Sequence, residues 1–215
     1  MSSSAIAVKA PFERSVFVNC PFDDDYLPLL HAMVFAIHDC GFIARLSVED
    51  TGGSEMRVEK IVRLIRESRL SIHDVSRVEL SKKSKLPRFN MPFECGLALG
   101  CIRYESKPLG RDFLLMTAVQ YQDQKALSDL AGQDAMSHNN EPAKVIAAVR
   151  NFLSAKKSPG AHMRGEAAIA DRYARFRAAV ASLAPTLGIS ATEIVRFDYL
   201  RDWMSATTWW LATKA

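Results

Sequence analysis

"RSVFVNCPFDDDYLPLLHAMVFAIHDCGFIARLSVE", residues 14–49, decides the fold class because its hydrophobic period changes twice. "RSVFVNC" (14–20) is short, β-branched and aromatic, and Pro21 ends it, the pattern of a buried strand. "DDYLPLLHAMVFAIHDC" (24–40) then sets Leu27, Leu30, Val34 and Ile37 at helical spacing, and Gly41 supplies a stop. Asp23, Asp24 and Asp25 stand at the helix start, where carboxylates suit the positive end of its dipole. Pro28 falls in the first turn or so, where a missing N–H costs little. "FIARLSVE" (42–49) returns to strand character. Strand, helix, strand is a crossover unit.

The alternation continues. "EMRVEKIVRLIRES" (55–68) is amphipathic, with Met56, Val58, Ile61, Leu64 and Ile65 on one side. "LSIHDVS" (70–76) is a third strand, and a polar loop rich in Lys and Ser runs to residue 88. A helix is predicted from about Asn90 to Tyr104, and "DFLLMTAV" (112–119) is a fourth strand. No hairpin signal separates these strands. An α/β domain over residues 14–155 follows, its parallel sheet covered by helices on both faces. After residue 120, "KALSDL", "EPAKVIAAVRNFLSA" and "GEAAIADRYARFRAAVASLAP" read as helical, and "SATEIVRFDYLRDWMSATTWWLAT" as helical or mixed. "KKSPGAHMRG" (156–165) has linker composition. Residues 163–215 are therefore expected as a helical C-terminal extension, packed on the domain or on a second copy. Its Trp203, Trp209 and Trp210 suit core packing or a dimer surface. Residues 1–13 are expected to be a mobile tail.

Composition bounds the function. The chain has 215 residues, 48% hydrophobic and 24% charged, which fits a soluble globular protein. It holds no apolar run long enough to span a bilayer and no signal-peptide pattern at its start, so a cytoplasmic location is expected and a membrane role is not. The formal charge of +4 is modest. "SKKSK" (81–85) and "KK" (156–157) are too local for a nucleic-acid footprint. Cys20, Cys40, Cys95 and Cys101 form no CxxC pair and lie in apolar segments, as buried free thiols do. No histidines stand at ligand spacing, so no metal site is expected.

Ligands of an open parallel sheet bind outside the carboxyl ends of its strands. Those ends carry Asn19, Cys20, Pro21, Phe22 and Asp23 after strand one, and Glu49, Asp50, Gly52 and Gly53 after strand two. His73, Asp74 and Ser76 follow strand three. Aromatics, amides and carboxylates together suit a small polar ligand with a flat ring. Asn19 either meets that ligand or ties its own turn. Phe22 either stacks a ring or packs. "TGGS" offers backbone N–H groups at a helix start but lacks the P-loop and GxGxxG patterns. Arg57, in the first turn of the next helix, suits phosphate, carboxylate or a surface ion pair. His73 and Asp74 point to opposite faces of a strand, and Asp74 is expected in the cleft. In "RFNMPFECGLALG" (88–100), Glu94 stands among Phe89, Met91, Phe93, Cys95 and Leu97, with Leu97 and Ala98 one turn on. No lysine or arginine is placed to pair with it. A carboxylate buried there costs several kcal/mol and has a raised pKa; otherwise it caps the helix or points to water.

In order and spacing, "VFVNCPFDDDY", "SIHDVS", "FNMPFECGLAL" and "SKP" (106–108) resemble the nucleoside 2-deoxyribosyltransferases and the related TIR-like N-glycosidases, over roughly residues 14–120. The resemblance implies a flavodoxin-like sheet and attack by a glutamate on the anomeric carbon of a nucleoside. By position, Glu94 would be the catalytic nucleophile and Asp74 its catalytic partner. Asp74 and Asn90 would hold the sugar or base, and Asn19 with Phe22 would line its pocket. Pro21, Asp23, Arg57 and Met91 complete the expected substrate-binding set. "RVELSKKSKLPR" (77–88) is longer than a compact transferase needs, and residues 125–215 have no counterpart in the minimal family fold. The chain is also similar to a bacterial "NMPFE-G" branch that looks like defence or stress effectors and nucleotide-binding proteins. Its implied substrate is NAD or a related nucleotide, with no separate cofactor. The implied partner is a second copy or another protein at the C-terminal helices. A rival reading is a non-catalytic sensor for a nucleotide or signal nucleotide.

Overall fold

In the computed structural model the described residues are 11–49, 55–77, 86–121, 127–130, 132–157 and 162–214. Residues 1–10 of the expected tail, Asp50, Gly52, Gly53 and the rest of "TGGS", "SKKSK" and residues 158–161 of the expected linker lie outside them. The strands are β1 (Ser15–Asn19), β2 (Ile43–Arg45), β3 (Leu70–Asp74), β4 (Asp112–Thr117) and β5 (Met136–Ser137). The helices are α1 (Leu27–Asp39), α2 (Arg57–Glu67), α3 (Asn90–Tyr104), α4 (Pro142–Ser154), α5 (Glu166–Leu183) and α6 (Leu200–Thr213). All strands run parallel in the order β2-β1-β3-β4-β5, the flavodoxin-like arrangement expected. The two-residue β5 carries no periodic signal and was not predicted.

Two elements differ from the sequence expectation for local polar reasons. The second strand stops at Arg45 instead of running to residue 49. Glu49 folds back there: its carboxylate takes the Leu46 N–H and pairs with Arg45 at 2.8 Å, so the backbone turns instead of pairing. The tail also ends early. Phe12–Arg14 form a 3₁₀ turn, Arg69 N–H donates to Phe12 O at 3.2 Å, and the Arg111 guanidinium sits 4.8 Å over the Phe12 ring.

Alternation along the strands divides the core. Val16, Val18, Leu70, Ile72, Leu114 and Met116 face α1, while Phe17 joins Ile61, Leu64 and Ile65 of α2 and Ala98 of α3 on the other face. Helix α1 is buried from Leu29 to Ile37 without a polar stripe, as a helix covered on every side must be. The sheet covers one side of it; α4, α5 and α6 cover the rest. Phe35 packs on Tyr173, Phe176 and Trp210 with centroids 5.4–5.9 Å apart. Asp39 on α1 pairs with Arg172 on α5 at 2.8 Å, both nearly enclosed. The C-terminal helices therefore share the core of the α/β domain. Trp203 and Trp210 are spent in it, and Trp209 is 55% exposed. Among the described residues, no helix is long and apolar enough to cross a membrane.

The thiols follow the burial pattern. Cys20, Cys40 and Cys95 are buried and Cys101 is half-buried. Burial pushes Cys40 up to about 12 and Cys95 to about 11. Burial, with nearby Asp74 and Glu94, also raises Cys20. Thiolate is the reactive form. In the native chain at pH 8, a thiol reagent is expected to label Cys101 first and the other three only after unfolding. Mass mapping of the labelled peptides checks this, and early labelling of Cys20 contradicts it.

Candidate functional site

The chain leaves β1 toward β2 on one side and returns to β3 on the other, so connections diverge outside the carboxyl ends of β1 and β3. A cleft of about 620 Å³ opens there, a volume suited to a small ligand. Of the residues expected from sequence, Asn19, Phe22, Arg57, Asn90, Met91 and Glu94 line it. Ser47, Val48, Glu55, Lys60, Arg88 and Phe197 also line it and were not foreseen. Phe197 comes from just before α6 and meets Phe22 edge to face at 5.4 Å. An extended aromatic wall results, half of it supplied by the C-terminal extension.

Glu94 lies in the second turn of α3, on the cleft side, and is 5% exposed. No hydrogen bond or ion pair from another described residue reaches its carboxylate. Burial raises its pKa to about 7, and Arg57, at the start of α2, partly opposes the rise. The polar atoms sealed without a partner are His31 Nε2, Asp39 Oδ2, Arg45 Nη1, Ser68 Oγ and Trp203 Nε1 among the described residues. Glu94 and Asn19 both line the cleft, and no hydrogen bond from another described residue occupies their side-chain oxygens. Glu94 is an acid–base group poised between neutral and charged at the ligand edge of the sheet.

Asn19, at the end of β1, does two things at once. Its amide nitrogen donates to Met91 O at 2.8 Å, which ties the first turn of α3 to the sheet. The same nitrogen lies 3.0 Å from Nδ1 of His73, its register neighbour on β3. The sequence left open whether Asn19 meets a ligand or ties a turn; it holds the helix that carries Glu94 and also lines the cleft.

Asp74 is not brought into the cleft. It is fully buried on the α1 side of β3. Its carboxylate takes hydrogen bonds from Tyr26 Oη at 2.6 Å, Ser76 N at 2.9 Å and the Ser76 hydroxyl, and His138 Nε2 lies 2.9 Å away. Asn140 N–H donates to His138 Nδ1 at 3.0 Å, so the ring proton is on Nε2 and points at Asp74. Serine, histidine and aspartate meet here, but the serine donates to the aspartate and neither imidazole nitrogen is free to take a proton from it. The set pins β3, the start of α1 and the end of β5 together. The expected sugar-holding role of Asp74 has no geometry to support it, because its strand alternation turns it away from α3.

Pro21 is buried and does not line the cleft. Asp23 accepts the Tyr26 N–H at 2.9 Å and pairs with Arg77 at 3.2 Å and Arg88 at 3.1 Å. It therefore starts α1 and holds Arg88 at the cleft wall without lining the cleft itself. Asn90 is exposed at the rim, and Met91 is buried beneath it. Arg57, Lys60 and Arg88 face the same space as Glu94, with Glu55 beside them and Arg88 paired with Asp23, so the cleft sets a rim of mixed charge, richer in cations, over a carboxyl floor. Such an arrangement can hold an anionic group at one end and act on a polar centre at the other. No family model, curated protein or solved structure matches the chain.

Proposed function

We propose that the chain cleaves or transfers at an N-glycosidic bond of a nucleotide, NAD or a related (deoxy)nucleotide, in the manner of a nucleotide-consuming stress effector. The observation that carries this reading is Glu94: a nearly buried carboxyl, without a hydrogen-bond or ion-pair partner among the described residues, open to a cleft at the β1/β3 switch point. The base leaves with the electron pair of its bond to the anomeric carbon. The electron-poor sugar that remains is stabilised by ionised Glu94 or trapped as its ester, which water or an acceptor then releases. Phe22 and Phe197 suit the flat face of a base, and Arg57 with Lys60 suits its phosphates. Association through the C-terminal helices would fall to Trp209, the outward indole of the three.

Incubation with NAD and a panel of nucleosides and nucleotides, followed by separation of released bases, tests the reading. Glu94→Gln is expected to lose at least about 10³-fold in turnover. Equal, slow release from both proteins would sink it, and ligand binding without turnover in either would favour the sensor. Because the attacking form is the carboxylate, kcat/KM is expected to rise with pH and level off above about 7. A flat profile between pH 5 and 9 would remove Glu94 from the chemistry.

A further inference from the structure

We infer that His73 is a positioning residue of the cleft: by taking the amide hydrogen of Asn19 that Met91 O leaves over, it holds the side chain so that only the carbonyl oxygen is offered to a ligand, which selects ligands with a sugar hydroxyl there. The selection rests on the cleft being a nucleotide site; the wiring of the two side chains does not.

The hydrogen-bond pattern allows one assignment. Met91 O is a carbonyl and can only accept, so the Asn19 atom 2.8 Å from it is the amide nitrogen. That nitrogen also meets His73 Nδ1 at 3.0 Å, and its two hydrogens serve the two contacts. Nδ1 must then be the unprotonated nitrogen of the ring. The proton is on Nε2, which donates to Ser71 Oγ at 2.9 Å. The ring is fully buried, with Phe17 and Phe113 edge-on at centroid distances of 6.1 and 5.9 Å. Burial lowers its pKa to about 3, so the imidazole stays a neutral acceptor at ordinary pH.

The consequence falls on the cleft. Both donors of the Asn19 amide are consumed inside the protein, and its oxygen is what remains for a ligand. A floor built from that oxygen and the Glu94 carboxylate accepts hydrogen bonds. It suits a ring bearing hydroxyls and penalises one that lacks them, because the acceptor would then be left dry. His73 touches no ligand itself; it acts through Asn19.

Two measurements on the full chain decide this. In the free protein, long-range proton–nitrogen correlations of the His73 ring are expected to show the proton on Nε2 throughout pH 5–8. Both Asn19 side-chain amide protons are expected to exchange slowly. His73→Leu should release one of them, and His73→Asn, which places an amide oxygen near the Nδ1 position, should keep both slow. In the second measurement, calorimetry compares AMP with its 2′-deoxy and 3′-deoxy counterparts. Loss of one hydroxyl should weaken wild-type binding about tenfold. That preference should fall to about twofold or less in His73→Leu and persist in His73→Asn. A proton on Nδ1, or a preference unchanged in His73→Leu, overturns the inference. If no probe binds the wild type, the nucleotide reading fails, and the ring tautomer and amide exchange still judge the role of His73.

Discussion

At pH 8, Glu94→Gln is expected to be more stable than the wild-type chain by about 3 kcal/mol, and at pH 4 by almost nothing. The folded chain holds the Glu94 proton up to about pH 7, against an ordinary value of 4.5, because burial disfavours the charged form. Below pH 4.5 both folded and unfolded states carry the proton and no penalty exists. As pH rises through that range the unfolded state releases its proton first, so stability falls until the folded carboxyl also ionises near 7. A displacement of that size corresponds to about 3 kcal/mol at 1.36 kcal/mol per unit. For a chain of this length it is a rise in Tm of about 6–12 °C. Thermal melts of both proteins across pH 4–9 measure it. Parallel curves would mean that Glu94 is ordinarily solvated and that the cleft stores no such strain. A gain in stability together with loss of turnover is the signature of a group kept for chemistry rather than for folding.

Asp74→Asn should move the other way, with a loss of about 3–5 kcal/mol. Its carboxylate accepts from Tyr26, from Ser76 twice and from His138, all within a fully buried cluster. The amide turns one acceptor oxygen into a donor facing donors, and no water can enter to relieve it. Urea unfolding is expected to show a midpoint lowered by roughly 1–2 M with an unchanged slope. Turnover per folded molecule should stay near that of the wild type, since Asp74 does not line the cleft. Large loss of turnover without loss of stability would restore the catalytic role that the family resemblance implies for Asp74.

The sheet was legible because its strands are short and apolar on both faces, whereas α2 shows one clear apolar stripe and its sheet-facing side follows. Glu94 was legible because helical spacing surrounds it with apolar residues and no cation. The rest depends on contacts that periodicity does not encode. Asn19 and His73 are 54 residues apart and meet because β1 and β3 are register neighbours. The choice between His73 and Asp74 turned on which face of β3 looks toward α3, and Asp74 faces α1. His73 looks toward α3 and serves the cleft through Asn19. Phe197 reached the cleft from a segment with no motif at all. The all-round apolar character of α1 did hold a clue: a helix without a polar face needs cover on both sides, and the C-terminal helices are that cover.

That cover sets an order of events for a chain made from its N-terminus. The sheet and α1 can emerge before residues 166–213 exist, but α1 then shows water the surface that Tyr173, Phe176, Trp203 and Trp210 will enclose. The cleft is unfinished for the same interval, since Phe197 has not yet closed on Phe22. A nascent chain is thus exposed to aggregation while it is least able to hold a ligand. A finished cleft therefore requires that synthesis has passed Phe197 and α6.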